Sequence, residues 1–322
     1  MLKLDEYGGY LPFDFKTGKE QFEGYDFIRL NSARNGLIYS ILDGGYDKVY
    51  IPYYMCQSIQ QVLKKNNIPF GLYHINEAFM PVNVELKDRE CIFYPNYYGL
   101  FSEKDLKVVV DKYEHVILDQ TQAFFCKPIA DVYNIYSCRK FIGVSDGAYV
   151  IKKNIGHLPI KKDKSWTRIV QLFRSVEEGT GSAYQDYLLS EQEIENSEIL
   201  EMSDITYKML LQVDYDSIRR TRQKNFDALA TYLKGKNIMN VLRKNECTPM
   251  IYPFQTDMEN MRQCLVEHHI YVPFWWRYLL EYSELSLFER KLIEELMPLP
   301  IDQRYNESDM EYLANIVKSL MK

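Results

Sequence analysis

Residues 116–151 read VILDQTQAFFCKPIADVYNIYSCRKFIGVSDGAYVI. A short apolar run ends on an acid, Asp119; a second leads through NIYS to a lysine, Lys140; and a Gly-containing turn opens onto a third, GAYVIKK (147–153). A carboxylate at the end of a buried strand must be hydrogen-bonded or paired, because burying it alone costs several kcal/mol. Asp119 therefore either caps the segment that follows it or holds a cation. Lysines are ordinarily solvated surface groups. In an apolar, partly dry site, however, the ammonium form loses the water that favours it, and the neutral amine becomes a nucleophile. Position alone does not decide between these readings.

Outward from this stretch, β-rich runs alternate with helical patterns from about Asp26 to Lys153. KVYIPYY (48–54), FGLYHI (70–75) and CIFYPN (91–96) are strand-like, while QSIQQVLKKNN (57–67) and EKDLKVVVDKY (103–113) have helical periodicity. Alternation at this pitch predicts crossover units and a mainly parallel sheet, an α/β fold. Between Asp163 and about Glu201 the pattern is polar and helical, broken by GTGS (179–182). One long helix is expected from about Ser203 through DYDSIRRTRQKNFDALATYLKG, closing at Lys234 and Gly235. MIYPFQ (250–255), the helix MENMRQCLVEHH and IYVPF (270–274) then form a smaller α+β unit, followed by a terminal amphipathic helix over 307–322. The expected division is a large α/β domain over residues 1–205 and a linking helix with a small α+β domain over 206–322.

The chain has 322 residues, 46% hydrophobic and 26% charged, enough to bury a sizeable core. Its formal charge of −6, with Lys and Arg dispersed, leaves no footprint for a phosphate backbone and argues against a nucleic-acid partner. No apolar stretch approaches the roughly 18 residues of a bilayer span, and the N-terminus lacks a basic start followed by an apolar block. No membrane partner and a cytoplasmic location are expected. Six cysteines without CxxC spacing suit buried thiols in a reducing compartment, and the adjacent histidines of EHH (267–269) would point apart on a helix, so no metal site is expected. With 27 Tyr against 16 Phe, the aromatic usage fits a semi-polar pocket, a subunit interface or a Tyr-rich rim to the core.

In open α/β sheets ligands sit outside the carboxyl ends of the strands. NSARNGLIYSIL (31–42) follows an extended segment, and Asn31 or Ser32 there can cap a helix starting near Arg34. Its free N–H groups would suit a phosphate.

Taken in order, these stretches resemble the DegT/StrS-type sugar aminotransferases, fold-type-I enzymes that use pyridoxal 5′-phosphate (PLP). LNSARNGL is similar to the family's SGTxAL helix start, YIPYYMCQSI to VPSYTCPAV, FYPNYYG to PVHLYG, and VILDQTQAF to VIEDAAQA. YSCRKFIGVSDGAYVI aligns with the segment bearing the Schiff-base lysine, and LMPLPIDQRYNESDME resembles the LPI ending before the last helix. The resemblance implies that Lys140 bonds PLP covalently, Asp119 pairs with its ring nitrogen and Gln122 approaches its ring hydroxyl. It further implies that Ser137 and the backbone around Ala33 and Arg34 face the phosphate. An Asp against the ring nitrogen keeps that nitrogen protonated, and a lysine can release its bond to a substrate amine and then carry a proton, which arginine cannot.

Departures from the family pattern accompany these matches. TGEGG after the lysine is replaced by GVSDGAYV, and the serine lies three residues before Lys140 where many members have five. Cys56 stands where many relatives stack a ring on the cofactor, with Tyr54 as the substitute, and Asn96 stands where His is common. The implied activity is transfer of an amino group from an amino acid to a nucleotide-linked keto-sugar, in a homodimer. A different PLP reaction such as a lyase, or a PLP-fold protein with a binding or regulatory role, are the alternatives. FWWRY (274–278) is read as a substrate mouth or as domain packing. Arg222 and Asn225 belong either to a solvated helix face or to groups reaching a neighbouring active site. EYGGYLPFDF (6–15) is read as turn-forming and able to pack against a partner.

Overall fold

The computed structural model describes residues 9–239 and 243–321. Strands β1 (Phe27–Leu30), β2 (Lys48–Pro52), β3 (Phe70–Ile75), β4 (Pro81–Val82), β5 (Glu90–Pro95), β6 (Val116–Asp119), β7 (Tyr133–Ser137) and β8 (Ala148–Ile151) form one sheet, in the order β1-β8-β7-β6-β5-β2-β3-β4. The central strands β3, β2, β5, β6 and β7 run parallel, whereas β8 is antiparallel to both β7 and β1, and β4 to β3. The α/β expectation with a mainly parallel sheet therefore holds. Helix α1 (Ala33–Gly44) links the edge strand β1 to β2, and in the parallel core the crossover helices α2 (Gln57–Lys65) and α3 (Glu103–Lys112) join β2 to β3 and β5 to β6.

Local chemistry starts and stops these helices. Ser32 is extended and its Oγ accepts from the Asn35 N–H, while Gly45 ends α1 in the left-handed region at φ 65°. Ser102 and Asp105 form a reciprocal capping box on α3. Strand alternation then sorts the core. Cys91, Phe93 and Ile117 pack with α1 residues Leu37, Ile38 and Ile41, while their neighbours Ile92, Tyr94 and Leu118 face the other way, in one cluster with Phe226, Tyr252, Leu292 and Leu313. Both faces of the central strands are covered, which is why they read as continuous apolar runs. Gly36 lets α1 lie against the sheet: a Cβ there would stand 3.0 Å from Ile135 Cγ2 and 3.1 Å from Val150 Cγ2.

Beyond the sheet come α4 (Val170–Glu178), α5 (Tyr184–Asn196), α6 (Asp204–Leu210), α7 (Tyr215–Tyr232), β9 (Ile251–Gln255), α8 (Met261–Glu267), α9 (Leu287–Glu295), β10 (Leu296–Pro300) and α10 (Glu307–Leu320). The long helix expected from Ser203 is two helices. Asp214 accepts from the Ser217 N–H and starts α7 anew, after α6 has closed at Leu211. IYVPF is not a strand; the second, two-stranded sheet pairs β9 with β10, LMPLP. Of EYGGYLPFDF, Glu6 to Gly8 lie outside the described residues, and Tyr10, Leu11 and Phe13 are exposed. No helix among the described residues is long and apolar enough to cross a membrane.

Candidate functional site

Asp119 ends β6 and is paired with Pro95 of β5 and Ile135 of β7, so the carboxyl ends of three parallel strands lie side by side. A cavity of about 670 Å³ opens at this edge. Its wall includes Asp119, Thr121 and Gln122 after β6, Ser137 at the end of β7, Arg139 and Lys140 in the following turn, Cys56 before α2, and Ser32, Ala33 and Arg34 at the start of α1. Residues as far apart as 32 and 140 thus meet at one sheet edge, where a doubly wound topology places ligands.

The Asp119 side chain is buried, and its Oδ1 accepts the Thr121 N–H at 2.8 Å. Burial raises its carboxyl above the usual range, against the Lys140 ammonium and the hydrogen bonding of Thr121, both of which lower it. Oδ2 has no hydrogen-bond partner among the described residues. An acid in this state gains most from a cationic N–H donor in the cavity. Lys140 Nζ donates to Thr121 Oγ1 at 3.1 Å, so one threonine touches both groups. The expected dry site for the lysine is not made by the chain alone: Lys140 is exposed. The apolar residues beside it, Phe141 and Ile142, turn away into a cluster with Phe124 and Tyr136.

The turn that replaces TGEGG is firmly held. The buried Asp146 carboxylate accepts from the Ser203 N–H and Oγ, each at 2.8 Å, and from the Thr206 hydroxyl. Gly147, at φ 114°, donates to Asn31 O at 2.8 Å and accepts from Cys138 N at 3.1 Å. These bonds tie the lysine turn to the start of α6 and to the strand that leads into α1. Gln122 is also fixed, its Oε1 accepting the Tyr98 N–H at 2.8 Å. Ser137 lines the cavity with no side-chain hydrogen bond among the described residues. Helix α5 borders the cavity and neutralises two of its cations, Arg34 through Glu195 at 3.2 Å and Arg139 through Glu191. Burial pushes the Arg139 guanidinium down to about 10, which leaves it cationic at neutral pH.

Two sequence-predicted residues stand off the cavity wall. Tyr54 is fully buried; its hydroxyl meets that of Tyr98 at 2.9 Å, and its ring packs edge-on to Trp276 at 4.4 Å. Asn96 locks the turn after β5: Nδ2 donates to Phe101 O and Gln120 Oε1, and Oδ1 accepts from Phe101 N, all at 3.0 Å. Neither side chain is free to face a ligand. Tyr54→Phe is accordingly expected to leave ligand binding at the cavity unchanged while lowering stability by about 1–2 kcal/mol, because it strands the Tyr98 hydroxyl. A urea melt beside a PLP titration checks both halves. Cys56 does reach the cavity, but its Sγ lies 3.2 Å from Ser58 Oγ and supplies no ring.

Other contributors were less visible in the sequence. Trp275 and Trp276 line the cavity and stack on each other at 5.7 Å, and Trp275 also stacks on Tyr98 at 6.0 Å, so FWWRY is both wall and packing. Thr121 was signalled only by a hydroxyl two residues past Asp119, and Glu191 and Glu195 by their one-turn spacing on α5. Arg222 is buried on the same cavity, while Asn225 donates to the carbonyls of Ile301, Asp302 and Tyr305 within its own chain. A second cavity of about 490 Å³, between the lysine turn and the α4–α5 pair, shares Arg139, Lys140, Tyr187, Arg222 and Asp302 with the first.

No protein-family model and no curated protein matches the chain. Solved structures do. The sugar aminotransferase CalS13 from Micromonospora echinospora superposes with a TM-score of 0.62 at 14% identity, covering 91% of this chain and 87% of that one. A DegT DnrJ EryC1 StrS aminotransferase from Brucella abortus gives 0.63 at 11% identity, covering 93% and 87%. PseC from Helicobacter pylori, an aminotransferase involved in the biosynthesis of pseudoaminic acid, gives 0.62 at 12% identity, covering 91% and 86%. Over about nine-tenths of its length, then, this chain is built on the fold-type-I architecture of the DegT-type, PLP-dependent sugar aminotransferases.

Proposed function

We propose that this chain is a PLP-dependent aminotransferase that moves an amino group from an amino acid to a nucleotide-linked keto-sugar. One juxtaposition carries the reading: a lysine amine and a buried, under-satisfied carboxylate share Thr121 on a cavity whose wall also includes the start of a capped helix. The residues present fit PLP. Asp119 would meet a cationic ring nitrogen, which relieves the cost of its burial. The N–H groups of Ala33 and Arg34 at the start of α1, with the Ser137 hydroxyl, suit a phosphate. Gln122, fixed through Tyr98, would present its amide to the ring, and Lys140 would hold the aldehyde carbon. When bound, PLP supplies the electron sink for breaking the bond to hydrogen at the donor's α-carbon. Lys140 would then serve as the base that takes this proton, with Thr121 orienting its amine.

The anchoring of the lysine turn through Asp146 removes one motive for reading the chain as a PLP-fold protein without turnover. The keto-sugar rests on the likeness to sugar aminotransferases together with a cavity large enough for more than PLP. In the same reading the chain divides near residue 205, works in the cytoplasm and forms a homodimer. A fitting surface for the partner copy is α4, which buries none of its residues and exposes Val170, Phe173 and Val176. The test is a half-reaction. PLP-loaded protein mixed with single amino acids, and no acceptor, should release keto acid in an amount stoichiometric with protein for at least one common donor; no release from any of them overturns the assignment.

A further inference from the structure

Eight charged side chains line the central cavity, four cations and four acids, and two of the acids, Glu191 and Glu195, come from α5. They lie one turn apart and, with Tyr187 a turn before them, form the stripe of α5 that faces the cavity. Glu195 takes Arg34 at 3.2 Å, and Glu191 takes Arg139. Arg34 is the second residue of α1, where free N–H groups favour an anion, and Arg139 directly precedes Lys140. The two guanidinium groups are close enough to repel one another. An anion-attracting corner of the cavity is thus occupied by carboxylates of the same chain.

The helix that carries these acids is lightly held. It buries only Ser190 and Ile194 and packs mainly on α4, which buries none of its own residues. Before it the chain turns at Gly179, with φ 84°, and runs exposed through GTGS. After it the backbone is pinned: Asn31 and Asn35 donate to Glu198 O at 3.1 and 2.7 Å, and Lys65 donates to Asn196 O at 2.8 Å. One end is anchored beside the start of α1 and the other is joined through glycine, the build of a strap that swings about its C-terminal end. Partly exposed ion pairs, such as the two on its inner face, contribute little net stability in water. With those two acids withdrawn, the wall holds two cations in excess, the charge that a phosphate dianion balances.

We propose that α5 is an intramolecular plug: Glu191 and Glu195 stand in for a phosphate at Arg139 and Arg34, and the phosphate group of an incoming ligand displaces them and lifts the helix off the cavity. Naming PLP as that ligand rests on the aminotransferase reading; the plug itself does not. The probes are PLP, its phosphate-free analogue pyridoxal, and uridine diphosphate. Each is titrated into the parent, Glu195→Gln, Glu191→Gln/Glu195→Gln, and a charge-matched control, Glu77→Gln/Glu177→Gln, whose acids are exposed and off the cavity wall. The α5 double variant is expected to bind PLP about 5- to 30-fold more tightly than the parent, while its affinity for pyridoxal, and the control's for every probe, stay within about twofold. Glu195→Gln keeps the Arg139 pair and should gain about two- to fivefold, which covers the case in which the double variant fails to fold. In the parent, saturation with PLP should speed amide hydrogen exchange over residues 184–196. A ligand that docked beside a purely structural helix would slow it. The uridine diphosphate arm tells a nucleotide's phosphates from the cofactor's, since only the phosphate that seats at the two arginines speeds exchange in α5.

The proposal is overturned if both α5 variants bind PLP and uridine diphosphate no more tightly than the parent, or if exchange over 184–196 slows with both ligands. It is also overturned if pyridoxal gains as much as PLP, which would make α5 a steric lid rather than a competitor for the arginines. Should none of the proteins take up PLP, the aminotransferase reading fails while the uridine diphosphate titrations still decide the plug. Should all four proteins bind PLP with one affinity and uridine diphosphate with one affinity, the plug alone is wrong.

Discussion

Lys140→Ala is expected to abolish amino-group transfer, lowering the half-reaction rate by about 10⁴-fold or more, and to let PLP leave on dialysis. The lysine amine has two tasks in the proposed mechanism, covalent retention of the cofactor and proton transfer at the donor carbon. General acid–base catalysis by one positioned group contributes about 10²–10⁴-fold by itself. The substitution should leave the fold intact, since Lys140 is exposed and makes one side-chain hydrogen bond, to Thr121. The change in stability should therefore stay within about 0.5 kcal/mol. Visible absorption before and after dialysis, recorded beside a thermal melt, separates chemistry from folding. If parent and variant are equally colourless, or retain PLP equally, Lys140 is not the anchoring group.

Asp119→Asn should separate activity from stability in the opposite sense. Amide for carboxylate preserves shape and the acceptor for the Thr121 N–H, yet removes the negative charge facing the proposed ring nitrogen. Loss of a charge-assisted hydrogen bond of about 3 kcal/mol predicts at least about a hundredfold lower rate with any amino donor. For the PLP-free protein the sign of the stability change follows from linkage. Burial raises the Asp119 carboxyl in the folded state, so the group favours folding when protonated, below its unfolded value. That contribution is lost as pH rises through the raised value. The asparagine variant lacks this loss. It should match the parent near pH 3 and become the more stable of the two at neutral pH, in thermal melts across that range. A variant less stable than the parent at neutral pH would instead make Asp119 a structural anchor for the Thr121 turn.

Much of the site was legible because its residues mark the ends of local patterns. Asp119 closes a four-residue buried strand, and Ser32 is a helix cap whose neighbours Ala33 and Arg34 follow necessarily. Lys140, Ser137 and Gln122 were singled out through the resemblance to the DegT/StrS-type enzymes, and the structure places all three on the cavity wall. Tyr54 and Asn96 did not behave as expected. Neighbourhood in sequence says where a backbone goes but not which way a side chain turns, and the pairings with Tyr98, Phe101 and Gln120 depend on a turn at Tyr97–Gly99 that only the packed chain displays. The long helix expected from Ser203 is divided into two for a related reason. Its apolar periodicity continues through Leu211 and Val213, and the local hydrogen bond of Asp214 overrides it.

The sequence by itself determined the α/β class, the run of strands from 48 to 151 and the acid and lysine at their ends, since period-2 and period-3.6 patterns and polar caps act over a few residues. It also determined that one cation-bearing turn follows one acid-bearing strand by about twenty residues. Tertiary structure alone decided that β8 runs antiparallel between β7 and β1, and that LMPLP rather than IYVPF completes the small sheet. It alone brought Arg222 from α7, the paired tryptophans and the α5 acids to the cavity that holds Lys140. Such contacts join residues far apart in the chain and are selected by burial and charge balance across the whole fold, quantities that no local window of the chain contains.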